Sequence, residues 1–118
     1  MNTILIVDDH AGFRLQARAL LEADGFSVIG EAADGASGLR EARSLRPDVV
    51  LLDIGLPDME GFEVAHQLAR EGLPPLVVLT SSRQASEYGV RLTSTHILGF
   101  IPKEELSASA IRALADGG

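Results

Sequence analysis

The stretch Ile4-Leu5-Ile6-Val7-Asp8-Asp9 runs four apolar residues without a break into two adjacent acids. A continuous apolar run of this length reads as a strand covered on both faces, the kind found in the middle of a parallel sheet. The acids do not belong in such an interior. The strand must therefore end where a double negative charge has a use, and the rest of the chain has to say what that use is.

Working outward, four more strand-length runs follow: Phe26-Ser27-Val28-Ile29, Val49-Val50-Leu51-Leu52, Leu76-Val77-Val78-Leu79 and Ile97-Leu98-Gly99-Phe100-Ile101. Helical patterns lie between them. Phe13, Ala17, Leu20 and Leu21 form one apolar stripe, and Phe62, Ala65, Leu68 and Ala69 form another. Leu39, Ala42 and Leu45 mark a shorter helix that must end near Arg46, because Pro47 restricts the residue before it. A fourth pattern spans Arg83 to Leu92 with Ala85, Tyr88 and Leu92 as its face, and is weakened by Gly89. A fifth follows Lys103, with Leu106, Ala110, Ile111 and Leu114 turned inward. Strands alternating with helices predict an α/β, doubly wound, five-stranded parallel sheet with five helices. The first, third and fourth runs are unbroken and belong in the centre, whereas Ser27 and Gly99 mark the second and fifth as edges. Strand order 2-1-3-4-5 satisfies this. Such a sheet binds its ligands beyond the carboxyl ends of the strands, where the order reverses.

Composition narrows the function classes. The 118 residues make one domain, with a formal net charge of -7 that disfavours direct binding to nucleic acid or to an anionic membrane. There is no cysteine, which rules out disulfides, thiolate metal sites and a cysteine nucleophile, and fits a cytoplasmic setting. No apolar run approaches the ~18 residues of a membrane span, and the start lacks the pattern of a signal peptide.

The strand ends carry the chemistry. The first ends in Asp8-Asp9, the third in Asp53, the fourth in Thr80-Ser81-Ser82, and the fifth runs through Pro102 to Lys103. In the assigned order Asp8 and Asp9 lie beside Asp53, and their repulsion calls for a divalent cation; carboxylate oxygens and retained waters describe Mg2+ better than zinc or copper. Lys103 is the one lysine among nine arginines, a compact ammonium suited to following a phosphoryl oxygen. Thr80 adds a hydroxyl on the same rim. Asp53 is the candidate acceptor, since an aspartate carboxylate can form an aspartyl phosphate. No P-loop sequence occurs, so a nucleoside triphosphate is not the expected direct donor.

Each residue also has a plainer role open to it. Asp9 alone would serve as a helix cap, Asp53 as a polar strand end, Thr80 or Ser82 as a cap, and Lys103 as a solvated surface lysine. Their joint placement on one rim argues against four coincidences. Phe100, a phenylalanine in a strand, reads more readily as core than as a switch. His10, His66 and His96 show no ligand spacing and are read as structural or solvent-facing; Arg40, Arg43 and Arg46 are read as a solvated face.

Four separated motifs, "ILIVDDH", "DVVLLDIGLPDMEG", "LVVLTSS" and "GFIPK", resemble the receiver domain of bacterial two-component response regulators over essentially the whole chain. The resemblance implies a flavodoxin-like fold forming one receiver domain over residues 1–118. It implies that Asp53 accepts a phosphoryl group from a sensor histidine kinase. It also implies that Asp9 and Asp53 bind Mg2+ directly, with Asp8 acting through water and the Gly55 carbonyl completing the protein ligands. Thr80 and Lys103 would hold the phosphoryl oxygens, and Phe100 takes the place of a switching aromatic. The face formed by the fourth helix, fifth strand and fifth helix would then meet a partner or a second receiver. "DDHAGFR" and "LLEADGFSVIGEAADG" look most like receivers that carry a C-terminal helix-turn-helix domain, so transcription is the expected output of the full-length protein; the chain itself reads as a single-domain protein or as a receiver fragment. Where family members often place Gly-Ala before the fifth strand, this chain has Thr95-His96-Ile97-Leu98. Two other classes stay open. A magnesium-dependent aspartyl phosphatase of the haloacid dehalogenase type would need a second acid two residues after its nucleophile, which neither Asp8 nor Asp53 has. A degenerate receiver would act as a docking module without taking phosphate.

Overall fold

A computed structural model describes residues 2–83, 88 and 97–116. Its parallel sheet contains β1 (Thr3–Val7), β2 (Ser27–Ala32), β3 (Val49–Asp53), β4 (Leu76–Ser81) and β5 (Gly99–Pro102), in the order β2-β1-β3-β4-β5. The edges and the reversal of order lie where the apolar runs predict them. Four α-helices stand among the described residues: α1 (Ala11–Ala23), α2 (Gly35–Leu45), α3 (Gly61–Ala69) and α4 (Ala108–Ala115). The expectation of five helices is thus met only in part. The pattern at Arg83–Leu92 falls, apart from Arg83 and Tyr88, outside the described residues. No helix among the described residues is long and apolar enough to cross a membrane.

Alternation along the strands divides the core into two layers. Ile4, Ile6, Val49, Leu51, Val78 and Ile101 pack with Ala17 and Leu21 of α1 and Ile111 of α4. Leu5, Val7, Val50, Leu52, Val77 and Leu79 pack with Leu39 and Ala42 of α2 and with Val64, Ala65 and Leu68 of α3. Every residue of β3 is buried, as a central strand flanked by helices on both sides requires.

The end of β2 and the start of the last helix differ from the sequence reading for identifiable reasons, while α2 ends where Pro47 predicts. β2 runs on to Ala32, past the Ile29 at which the apolar run stops. Glu31 is tolerated there because Arg14 and Arg18 of α1 reach it at 3.0 and 2.7 Å, and Arg18 also donates to the Val28 carbonyl. The guanidinium of Arg18, then Arg14, holds the Glu31 carboxyl below its usual range against the opposing effect of burial. Lys103 does not lead straight into the last helix: residues Lys103–Glu105 form a 3-10 turn, and α4 starts only after Ser107, whose side chain caps the Ala110 amide at 3.0 Å. Arg46 does end α2, but in the left-handed region at φ 51° rather than in extended backbone, and its amide still bonds the Ala42 carbonyl.

Gly61 opens α3 directly behind β3. A Cβ there would lie 2.4 Å from the Asp53 carbonyl oxygen, so the helix can approach the strand end only without a side chain. Gly12, early in α1, has nothing within 4 Å of such an atom. Gly61→Ala should therefore lower the stability by about 1–3 kcal/mol through overpacking. Gly12→Ala should raise it by about 0.5–1 kcal/mol through helix propensity. Urea midpoints of the two variants check this; a Gly61→Ala chain as stable as the parent would mean that the junction relaxes freely.

Candidate functional site

The register carries the strand ends to one level. Val7 pairs with Leu52, Asp53 with Thr80, and Thr80 with Ile101. Asp8 and Asp53 each continue the alternation of Ile6 and Leu51, toward the α1 and α4 side of the sheet. Asp8 is fully buried and Asp53 is 4% exposed, whereas Asp9 and His10 are exposed. Lys103, raised above β5 by the 3-10 turn, brings its Nζ to 2.8 Å from Asp8 Oδ2 and 3.5 Å from Asp53 Oδ2. The same ammonium lies 4.6 Å over the Phe13 ring of α1.

Lys103 is therefore no solvated surface lysine. Nor does Asp9 cap α1: the N-cap is His10, and no side chain fills the role. The Asp8 backbone is fixed from both sides, its amide bonding the Ala32 carbonyl and its carbonyl accepting from Arg14 Nη1. Asp8 Oδ1 accepts the His10 amide at 2.9 Å. Asp53 Oδ1 accepts the Gly55 amide at 3.2 Å, the turn that bends the chain out of β3. Asp58 steadies the rest of that loop, its two oxygens accepting the Gly35 and Ala36 amides at the start of α2.

Three carboxylates face one ammonium here, and the shortage of positive charge shows on Asp53. Burial, and after it the charge of Asp8, pushes its carboxyl above the usual range, against the opposing pull of the Gly55 amide and Lys103. Asp8, Asp9, His10 and Asp53 each offer a donor atom, all lying within 4.8 Å of one another. Asp8 Oδ2 is buried with no aligned hydrogen bond; the Lys103 contact at 2.8 Å pairs charges without that alignment. Oxygen-rich donors, excess negative charge and an unsatisfied buried carboxylate oxygen fit a hard divalent cation.

Thr80 stands next to Asp53 but points elsewhere. Its hydroxyl, buried, donates to the Ile101 carbonyl of β5 at 2.7 Å. Phe100, partly buried, lies on the α2 and α3 side, with its ring 5.8 Å from that of Tyr88. Ser81 Oγ is 2.7 Å from the Tyr88 hydroxyl and also accepts the Arg83 amide, so Ser81 anchors the end of β4, while the helix that Thr80 or Ser82 would cap lies outside the described residues. His10, read from sequence as structural or solvent-facing, is exposed; what that reading did not anticipate is its contact with the acidic pair, its Nδ1 lying 3.2 Å from both Asp8 Oδ1 and Asp9 Oδ1, and its adjacency to that pair was the available signal.

With this geometry in view, the response regulator receiver domain family matches residues 4–115. The chain belongs to that family. Among curated relatives, BvgA of Bordetella pertussis is 39% identical to this receiver over 112 residues, covering 95% of this chain and 54% of BvgA. The transcriptional regulatory protein LiaR of Bacillus subtilis is 35% identical over 121 aligned positions, covering 99% of this chain and 57% of LiaR. The receiver thus spans a little over half the length of these relatives. The signal receiver domain of NarL from Mycobacterium tuberculosis superposes with a TM-score of 0.87 at 31% identity, over 99% of this chain and 98% of that one. A LuxR-family two-component response regulator from Aurantimonas sp. SI85-9A1 gives a TM-score of 0.87 at 28% identity, over 98% and 85%. This is a receiver domain of two-component response regulators, a family that accepts phosphoryl groups from histidine kinases and binds Mg2+ through acidic residues.

The raised Asp53 pKa has a sign for stability. Between the unfolded value of 3.8 and the higher folded value, folding takes up a proton, so the ionised side chain costs stability as the pH rises through that window. In metal-free buffer Asp53→Asn should therefore raise the urea midpoint at neutral pH, with the gain disappearing as the pH falls below 3.8. Millimolar Mg2+ should stabilise the parent chain and leave the variant nearly unmoved. A variant less stable than its parent at neutral pH would contradict the electrostatic account.

Proposed function

We propose that Asp53 is the phosphoacceptor of this receiver and that a sensor histidine kinase is its donor. The observation that carries the reading is the placement of a buried Asp53 between Asp8 and Lys103 at the carboxyl ends of adjacent parallel strands. A carboxylate oxygen of Asp53 attacks the phosphorus of a phosphohistidine; the P–N bond breaks as a P–O bond forms, and the departing imidazole takes up a proton. Lys103 follows the phosphoryl oxygens as a mobile point charge, and its second contact, with Asp8, holds it at the site beforehand. Asp9, Asp53 and the Gly55 carbonyl would hold Mg2+ directly and Asp8 would do so through water; the ion supplies neutralisation of charge on the transferred group.

The output step follows from where Thr80 points. A phosphoryl group on Asp53 adds roughly -1.5 to -2 charge units and strong acceptor oxygens beside the Thr80 hydroxyl. Turning to that acceptor, Thr80 releases the Ile101 carbonyl, so β5 and the adjacent Phe100 are free to repack. The face made by β5, α4 and the segment after β4 then meets a partner or a second receiver. In the full-length protein the output is transcription, in the cytoplasm, through a helix-turn-helix domain. Turnover of phosphate esters is not part of this function.

Intact mass after incubation with acetyl phosphate and Mg2+ tests the chemistry. One phosphoryl adduct is expected on the parent, and none on Asp53→Asn or without the cation. An adduct on Asp53→Asn would sink the assignment, and no adduct on any sample would leave a docking module. Thr80→Ala should still take the adduct but lose the coupled change around Tyr88. That change is readable by fluorescence because Tyr88 is the sole tyrosine and tryptophan is absent. An undiminished change in Thr80→Ala would break the link between Thr80 and β5.

A further inference from the structure

We infer that His10 is itself a ligand of the cation held at this site, and that it shifts the preference of the site from Mg2+ toward first-row divalent ions of the Mn2+ class. The inference rests on the reading that the acidic cluster holds a divalent cation, and adds a nitrogen donor that the receptor chemistry above does not require.

Helix capping does not explain the position of His10, whose ring contacts are with the acidic pair. It is the N-cap of α1, yet its side chain caps nothing, and histidine is not among the residues favoured there. Its backbone is extended, at φ -93° and ψ 104°, and its ring lies against the acidic pair. The ring is 67% exposed, so on binding a cation through Nδ1 it would leave Nε2 in water, where its proton is solvated. Nδ1 stands 3.2 Å from Asp8 Oδ1 and 3.2 Å from Asp9 Oδ1. Two adjacent ligands of an octahedral ion, each ~2.1 Å from it, are ~3 Å apart. Nδ1 and Asp9 Oδ1 are therefore already spaced as neighbouring corners of one coordination sphere, with Asp8 Oδ1 beside them in reach of a water on the ion. A single nitrogen carries at most one proton and cannot hydrogen-bond fully to both carboxylates. A cation satisfies all three atoms together.

A second observation points the same way. Asp8 Oδ2 is buried and lacks an aligned hydrogen bond, so the carboxylate under the imidazole keeps unsatisfied acceptor capacity. Imidazole is a poor partner for Mg2+, which favours oxygen and dehydrates reluctantly, and a good one for the transition metals. The donor set of Asp8, Asp9, His10 and Asp53, whose ligand atoms lie within 4.8 Å of one another, mixes three carboxylates with one nitrogen. That mixture should raise the affinity for Mn2+ more than the affinity for Mg2+.

Pulsed electron paramagnetic resonance of the Mn2+-loaded chain reads the nitrogen directly. The expected result is the coupling of a directly bound imidazole nitrogen in the parent and in the His66→Gln control, and its absence in His10→Asn. Asn is a favoured N-cap, so that variant keeps α1. Titration should show Mn2+ affinity falling about tenfold in His10→Asn, with Mg2+ affinity, measured by competition, changing about twofold or less. Mn2+ bound by the parent without nitrogen coupling, at an affinity that His10→Asn leaves unchanged but Asp9→Asn and Asp53→Asn abolish, would overturn the role of His10 and leave the carboxylate site standing. Binding that survives Asp9→Asn and Asp53→Asn would overturn both.

Discussion

Two buried carboxylates, Asp8 and Asp53, share a single ammonium, and the rest of the site is arranged around that imbalance. Removing one partner of a buried ion pair leaves an uncompensated charge at a cost of about 3–5 kcal/mol. Here the pairing is incomplete even with Lys103 in place, because Asp9 adds a third carboxylate nearby. Burial, and after it the charge of Asp8, raises the Asp53 pKa against the pull of Lys103. A cation or a phosphoryl-cation pair relieves it, so the apo site is poised toward its ligands by its own electrostatics.

The scaffold tolerates such a site because the strand ends are clamped from several directions. Arg14 bonds the Asp8 carbonyl and Glu31 together, so the loop carrying the acidic pair is tied to the edge strand β2 through α1. On the other side of β3, Gly61 lets α3 start against the Asp53 carbonyl, and Asp58 fastens the intervening loop to the first amides of α2. Those amides hold the Asp58 carboxyl below its usual range, as expected of an acid at a helix N-terminus. Asp48 does the corresponding work at the opposite end of the sheet. Its carboxylate accepts the Asn2 and Thr3 amides and the Thr3 hydroxyl, joining the start of β1 to the start of β3.

Much of this was legible in the sequence because the governing patterns are periodic or local. Unbroken apolar runs placed β1, β3 and β4 at the centre, and the interrupted ones placed β2 and β5 at the edges. The acidic strand ends and the lone lysine then converged on one rim by topology alone. What escaped was set by contacts between elements distant in sequence. β2 looked finished at Ile29 because nothing local announces that Glu31 will be neutralised from α1. The 3-10 turn that lifts Lys103 toward Asp8 leaves no periodic trace in three residues. The contact of His10 with the acids was not anticipated because spacing was sought between histidines, whereas its partners are its own immediate neighbours. Thr80 was placed on the right rim, but the direction of a hydroxyl is not encoded by position.

That direction bears on how signal and site are coupled. The Thr80 hydroxyl and the Asp53 carboxylate occupy paired positions on adjacent strands, yet each is engaged elsewhere, Thr80 with the Ile101 carbonyl and Asp53 with Gly55 and Lys103. Thr80 is buried, so releasing Ile101 without a new acceptor would leave a polar group unsatisfied at a cost of about 1–3 kcal/mol. The resting hydrogen bond is thus held by the absence of an alternative. An acceptor introduced at Asp53 removes that penalty on one side and transfers it to the Ile101 carbonyl on the other, so β5 must adjust to recover the loss. Ser81, the next residue along, extends to the opposite side of the sheet through Tyr88, which packs against both Phe62 and Phe100. Consecutive residues of one strand end therefore face the two layers separately: Thr80 stands beside the acidic site, and Ser81 connects the same backbone to the aromatic cluster. A shift of that strand end by a fraction of an ångström would be felt in both, which is how a local change of charge can become a change of surface.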